Sequence, residues 1–159
     1  MKKYIAYTQQ VLLNNPILFN ASNTQCNCGC NCNKVYHDDG SGVFILSGRN
    51  DNNRSTGNEY QVTFNGNITV PTGGTVGPIA VAVVLNGEQE VDSRSIVTPA
   101  AVDVYGHVTS TTVIKVPKCC GCFTMSVEYV SGLVDDPTGT PAPVINIQNG
   151  NLTIDGKVA

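Results

Sequence analysis

Glu59-Tyr60-Gln61-Val62-Thr63-Phe64-Asn65-Gly66-Asn67-Ile68-Thr69-Val70 alternates apolar and polar side chains almost without a break. Tyr60, Val62, Phe64, Ile68 and Val70 share one parity, with Gly66 in the gap, and Gln61, Thr63, Asn65, Asn67 and Thr69 share the other. Successive side chains of a strand point to opposite faces, so this stretch reads as a half-buried antiparallel strand. Pro71-Thr72-Gly73-Gly74 ends it with turn formers. The next stretch, Ile79 to Leu85, is apolar on both parities and reads as a strand covered on both faces. Its second face carries Ala80, Ala82 and Val84, small enough to admit the close approach of another subunit, and these three are the candidate subunit contacts. Asn86-Gly87 then predicts a hairpin turn.

The same signals recur along the chain. Val108, Ile114 and Val116 give an inward parity with Ser110 and Thr112 between them, and Phe123, Met125, Val127 and Tyr129 give another. Ile145 and Ile147 precede Asn149-Gly150, while Leu152 and Ile154 follow it on the opposite parity, which predicts a bulge or a tight turn at that dipeptide. Ile5 to Leu13, Ile17-Leu18-Phe19 and Val43-Phe44-Ile45-Leu46 supply shorter apolar pieces. No stretch carries the period of an amphipathic helix. Short strands separated by Gly and Pro turns define an all-β, antiparallel sandwich, here of eight to ten strands. Loops are expected over residues 26–42, 48–58, 71–77 and 131–143. The 159 residues fit one domain, with residues 1–15 as a docking or strand-exchange arm.

Composition narrows the partners. Charged residues make up 13% of the chain, about half the usual ~25%. Asn, Thr, Ser and Gly must therefore cover the surface, as suits a protein that packs against copies of itself. The net charge is −3 and no basic run occurs, which excludes nucleic acid as a partner on electrostatic grounds. No apolar run approaches the ~20 residues of a membrane helix. Met1 to Gln10 has two lysines but no apolar h-region, so it does not read as a secretory signal. Seven cysteines nevertheless sit badly in a reducing compartment. Release by lysis, as for phage particles and spore layers made in a mother cell, reconciles the two.

The order of the strand pieces resembles the C1q/tumour-necrosis-factor-like jelly roll. The pieces are Gln10-Val11-Leu12, Pro16-Ile17-Leu18-Phe19, Gly42-Val43-Phe44-Ile45-Leu46, Tyr60-Gln61-Val62-Thr63-Phe64 and Val83-Val84-Leu85-Asn86-Gly87. The resemblance runs from about residue 5 to residue 158. It is nearest to the C-terminal domains of bacterial exosporium collagen-like glycoproteins and to jelly rolls of phage structural proteins. It implies a jelly-roll sandwich and a homotrimer with aromatic and aliphatic residues on the shared axis. A collagen-like stalk is missing here, and two cysteine clusters depart from the pattern.

Those clusters are Cys26-Asn27-Cys28-Gly29-Cys30-Asn31-Cys32 and Cys119-Cys120-Gly121-Cys122. In an extended backbone the first four thiols share one face, near the far edge of disulfide-compatible spacing. Pairing with the second cluster or with another subunit is then easier than pairing within the run, and the odd total leaves one thiol over. All seven are candidates for disulfides or intersubunit crosslinks. Free thiols in loops, or thiolate coordination of a soft metal by Cys119 and Cys122 with His37, are the competing readings. No cofactor is called for.

Only two histidines occur, His37 and His107, and no nucleophile elbow, phosphate loop or dinucleotide fingerprint is present. The sequence therefore reads as non-enzymatic: a self-assembling structural protein of a spore surface or appendage, stabilised by disulfides. A phage head fibre or capsid decoration is the alternative. A glycan- or receptor-binding module is the third reading, and the absence of Trp weighs against it.

Overall fold

A computed structural model of the chain describes residues 1–21, 35–48, 56–118, 122–131 and 143–158. Its strands are β1 (Lys2–Ala6), β2 (Gln9–Val11), β3 (Asn20–Ala21), β4 (Val35–His37), β5 (Phe44–Ser47), β6 (Gly57–Thr69), β7 (Ile79–Leu85), β8 (Glu88–Gln89), β9 (Ser95–Val97), β10 (Gly106–Pro117), β11 (Cys122–Ser131) and β12 (Ile145–Val158). A single 3-10 turn, Val91–Ser93, joins β8 to β9. The twelve strands among the described residues exceed the expected eight to ten because β2, β3, β4, β8 and β9 are only two or three residues long. Residues 35–37 fall inside the loop expected over 26–42; three residues at a sheet edge are too few to show a period.

The strands form two antiparallel sheets. One runs β10-β6-β12-β1-β3, with β2 also on β12; the other runs β4-β5-β11-β7-β8, with β9 also on β7. From β5 to β7, and again from β10 to β12, successive long strands change sheets. That alternation wraps the chain around its own core and makes the fold a jelly-roll sandwich. Lys2–Ala6 of the expected arm pairs with β12 of its own chain, Tyr4 opposite Leu152.

The core lies between the sheets and follows the parities of the sequence. Tyr60, Val62, Phe64 and Ile68 of β6 are fully buried, facing Phe44, Leu46, Val81, Val83, Val127 and Tyr129 from the other sheet. Phe19, Phe44, Phe64 and Tyr4 meet edge to face, with ring centroids 4.8–6.1 Å apart, an arrangement aromatic quadrupoles favour. On β10 the inward row is Val108, Ser110, Thr112, Ile114 and Val116. Ser110 is tolerated there because its hydroxyl donates to the Ser93 carbonyl.

Both Asn-Gly signals act, in different ways. At Asn86-Gly87 both residues have positive φ, 51° and 84°, and the chain reverses between β7 and β8, as hairpin twist requires. At Asn149-Gly150 the strand continues: Gln148 pairs with Asn67 and Asn151 with Asn65, so two residues of β12 oppose Gly66. This bulge lets Ile147 and Leu152 both face the core despite their opposite parities.

Candidate functional site

The outer face of the β10-β6-β12-β1 sheet is built of ranks that cross the strands. Their register is His107–Asn67–Gln148, Thr109–Asn65–Asn151–Ile5, Thr111–Thr63–Thr153–Lys3, Val113–Gln61–Asp155 and Lys115–Glu59–Lys157. Cross-strand partners on one face touch, and here they bond. The Thr111 hydroxyl donates to Thr63 Oγ1 at 3.2 Å, and the Thr109 hydroxyl to Asn65 Oδ1 at 2.7 Å. His107 Nδ1 lies 3.0 Å from Asn67 Oδ1, and its Nε2 lies 3.3 Å from Thr109 Oγ1. These contacts tie the outward side chains of β10 and β6 into one polar layer.

Charge on this face gathers toward one end, in the Glu59 rank and in Asp155 of the rank beside it. Glu59 takes Lys157 Nζ at 2.8 Å and Lys115 Nζ at 3.9 Å. The hydrogen bond from Lys157 holds the Glu59 carboxyl below its ordinary value, and the same contact raises the Lys157 ammonium. Lys3 and Asp155 lie on β1 and β12. The other ranks of β10, β6 and β12 carry Thr, Asn, Gln and His; exposed Ile5 and Val113 are the apolar members of the face, Val113 in the rank of Asp155. The alternation in Glu59 to Val70 marked the outward residues of β6; only the register shows that β10 and β12 set matching residues beside them.

One end of the sandwich is tied between sheets. The Ser47 carbonyl on β5 accepts Asn58 Nδ2 at 2.7 Å and the Tyr60 hydroxyl at 2.6 Å, both from β6. Burial pushes the Tyr60 phenol up to about 12, against the opposing pull of its hydrogen bonds. Burial also raises the Tyr129 phenol, whose hydroxyl donates to the Pro143 carbonyl at 3.0 Å.

Among the described residues, the positions singled out in the sequence lie apart. Cys26, Cys28, Cys30, Cys32, Cys119 and Cys120 lie outside the described residues. Cys122 opens β11 opposite Ser47 as an exposed free thiol. Its parity matches Thr124, which is exposed on the outer face of the second sheet. His37 is not placed to join it in a metal site. It lies opposite Phe44, one strand away and three residues along from the Cys122–Ser47 pair, about 10 Å in strand rise. Its ring stacks on Phe44 at 4.1 Å, and Nδ1 and Nε2 each lie 3.0 Å from a backbone carbonyl, of Val43 and Phe19. Each ring nitrogen thus faces a backbone carbonyl oxygen, and neither is directed at Cys122. Among the described residues no group of three His, Cys, Asp or Glu is placed to hold a metal ion.

The candidate contacts on β7 also need correction. Ala80 and Ala82 are fully buried and Val84 nearly so within the single chain. Ala80 sits between Val130 and Ile96, and Ala82 lies beside Glu128. All three are thereby enclosed within the subunit. A second copy at this face would meet Ile96 and Glu128 first.

The two sheets define an all-β jelly-roll module whose β10-β6-β12 face is rich in Thr, Asn and Gln. No family model matches the sequence, and no curated protein is similar to it. Among solved structures, murine APRIL aligns over 96% of this chain and 99% of its own at 9% identity, with a TM-score of 0.43. Dimeric latent PorU from Porphyromonas gingivalis aligns over 98% of this chain and 13% of its own, at 8% identity and a TM-score of 0.40. A Paenibacillus cycloisomaltooligosaccharide glucanotransferase aligns over 94% and 19%, at 13% identity and a TM-score of 0.34.

Proposed function

We propose that this chain is a structural subunit that assembles with copies of itself outside the cell, on a spore surface or appendage, and catalyses no reaction. The observation that carries this reading is the uncharged centre of the β10-β6-β12 face. A charge buried between subunits is costly unless an opposite charge is placed to meet it. A flat face of Thr, Asn and Gln, with Ile5 and Val113 exposed at 49% and 53%, can meet itself without that cost. The surface outside it is poor in charge as well, at 13% of all residues. The resemblance to C1q/TNF-like domains makes a trimer the first stoichiometry to look for. The cysteine clusters would lock neighbouring subunits covalently once the assembly leaves a reducing compartment.

The test is sedimentation of the wild type against Thr63→Lys, which puts a cation in the middle of the face. The wild type is expected to sediment as an oligomer, and the variant as a folded monomer with an unchanged circular dichroism spectrum. A monomeric wild type at the highest soluble concentration would remove the reading. Mass analysis with and without reductant checks the crosslinks: high-mass species that collapse to the 16.8 kDa chain are expected.

A further inference from the structure

The imidazole of His37 faces more acceptors than a neutral ring can serve. His37 ends β4, and its half-buried ring lies between Phe44, stacked on it at 4.1 Å, and Tyr4 of β1, edge-on at 5.1 Å. Nδ1 lies 3.0 Å from the Val43 carbonyl oxygen, and Nε2 lies 3.0 Å from that of Phe19. A backbone carbonyl only accepts, and a neutral imidazole has one N–H and one bare nitrogen. The neutral ring therefore bonds one oxygen and sets a lone pair against the other. The imidazolium has an N–H at each nitrogen and bonds both. Its charge also agrees with the stack, because a cation is attracted to an aromatic face. The two oxygens belong to separate pieces of chain, one just before β5 and the other just before β3.

We propose that His37 is a proton-operated clasp: with a proton on both nitrogens its ring ties β4 to the carbonyls of Val43 and Phe19, and on losing one proton it releases one of them. Imidazole ordinarily changes charge near pH 6.5, so the clasp works in the mildly acidic range. Release softens this edge of the second sheet without unfolding it. The turn over residues 38–41 keeps two backbone bonds to Phe19, from the Gly40 N–H at 2.8 Å and to the Phe19 N–H at 3.0 Å. The charged groups nearby are few. Asp38 and Asp39 of the turn are exposed, and Lys2 of β1 brings its ammonium to the Val35 carbonyl at 2.8 Å. The carboxylates favour the cation and the ammonium opposes it, each weakly across water. β5 and residues 16–21 carry no titratable side chain, and Tyr4 presents its ring. The two carbonyl oxygens therefore decide the sign. They receive the second proton in the folded chain only, so protonation adds stability: the contribution is present below about pH 6.5 and is lost as pH rises. The clasp lies inside the sandwich and does not depend on the role of the β10-β6-β12 face.

Urea denaturation of the wild type and of His37→Phe, at pH 5 and pH 8, tests the clasp. The variant keeps a ring on Phe44 and removes both donors. The wild type's advantage in folding equilibrium constant over the variant is expected to be about threefold to tenfold larger at pH 5 than at pH 8, the worth of one hydrogen bond. His107, the other histidine, is common to both proteins and cancels in that ratio. NMR of the wild-type ring gives a second readout: two slowly exchanging ring N–H protons at pH 5 and one at pH 8. Hydrogen exchange, corrected for its intrinsic pH dependence, should show the Gly40 and Phe19 amides less protected at pH 8, while the Thr124 amide, bonded to Asn86 Oδ1, keeps its protection. An advantage that is equal at the two pH values, or a ring with one slowly exchanging proton at pH 5, would overturn the proposal. If His37→Phe does not fold, the ring protons and the two amides of the wild type decide the matter alone.

Discussion

Deleting Asn149 should leave the protein folded, although it shortens a central strand. β12 lies between β1 and β6, and Ile145, Ile147, Leu152 and Ile154 are all within 1% of full burial. Removing one residue from such a strand ordinarily turns every side chain on one side of the cut to the other face. At the bulge it does not. Gln148 and Asn149 both face outward, and Gly150 faces inward. Without Asn149 the order becomes Ile147 in, Gln148 out, Gly150 in, Asn151 out and Leu152 in, which is a regular strand opposite Asn67, Gly66 and Asn65. On the other side β1 and β2 already break at exposed Tyr7 and Thr8, which can absorb the shift. The deletion also removes a non-glycine residue at φ 51°, a conformation costing ~1 kcal/mol. Relaxation of the bulge opposes that gain, so the net change should lie within about 1 kcal/mol.

Deleting Thr153 is the matched control. It turns Ile154 outward and brings Asp155 into its place among the buried core residues. Losing one buried Ile costs about 1.5–3 kcal/mol, and a carboxyl without partners in that site adds several more. Against a total stability of about 5–15 kcal/mol the control should be largely unfolded. Urea denaturation followed by far-ultraviolet circular dichroism separates the two. Equal loss of structure in both deletions would refute the bulge argument.

Three further outcomes are expected. Gly57→Ala should destabilise by at least ~2 kcal/mol in the same assay, because φ is 146° and a Cβ would sit 2.2 Å from the Val116 carbonyl oxygen. Tyr60 should make stability fall in alkali. Its folded value of about 12 exceeds the unfolded one near 10, so its contribution is intact below about pH 10 and is lost as pH rises towards 12. Tyr60→Phe should flatten that part of the denaturation profile, and an unchanged slope would count against the burial. Glu59 behaves in the opposite sense: its lowered value makes its contribution present above the ordinary carboxylate range and lost as pH falls through the folded value. Carboxyl NMR titration should show Glu59 returning towards its ordinary value in Lys157→Met, and no movement would remove the ion pair.

The fold was legible wherever one face of a strand is wet. Tyr60 to Val70, Phe123 to Tyr129 and the parity change at Asn149 each carry a period of two, and the structure places their apolar members inward. Val35–His37 was not legible, because three edge residues are anchored by pairing to β5 and not by their own pattern. Ala80 and Ala82 show a second limit. Alternation identifies a second face on β7, but whether neighbours cover it depends on Val130, Ile96 and Glu128, which register alone brings there. The uncharged face was likewise divided among three separate sequence stretches, each unremarkable until the strands were set side by side.

The position of β12 carries a consequence for synthesis. It is the last strand of the described chain, yet it fills the middle of its sheet, with β6 on one flank and β1 on the other. Until it leaves the ribosome, the two halves of that sheet have no common ladder, and the apolar rows of Tyr60 to Ile68 and of Tyr4 and Ala6 lack their central partner. A nascent chain cannot complete the sandwich and then wait; closure comes late and joins residues far apart in sequence, a topology that folds slowly. The ladder that joins the two halves of this sheet is thereby withheld until residues 145–158 have been made, so the order in which the strands appear sets when the sandwich closes.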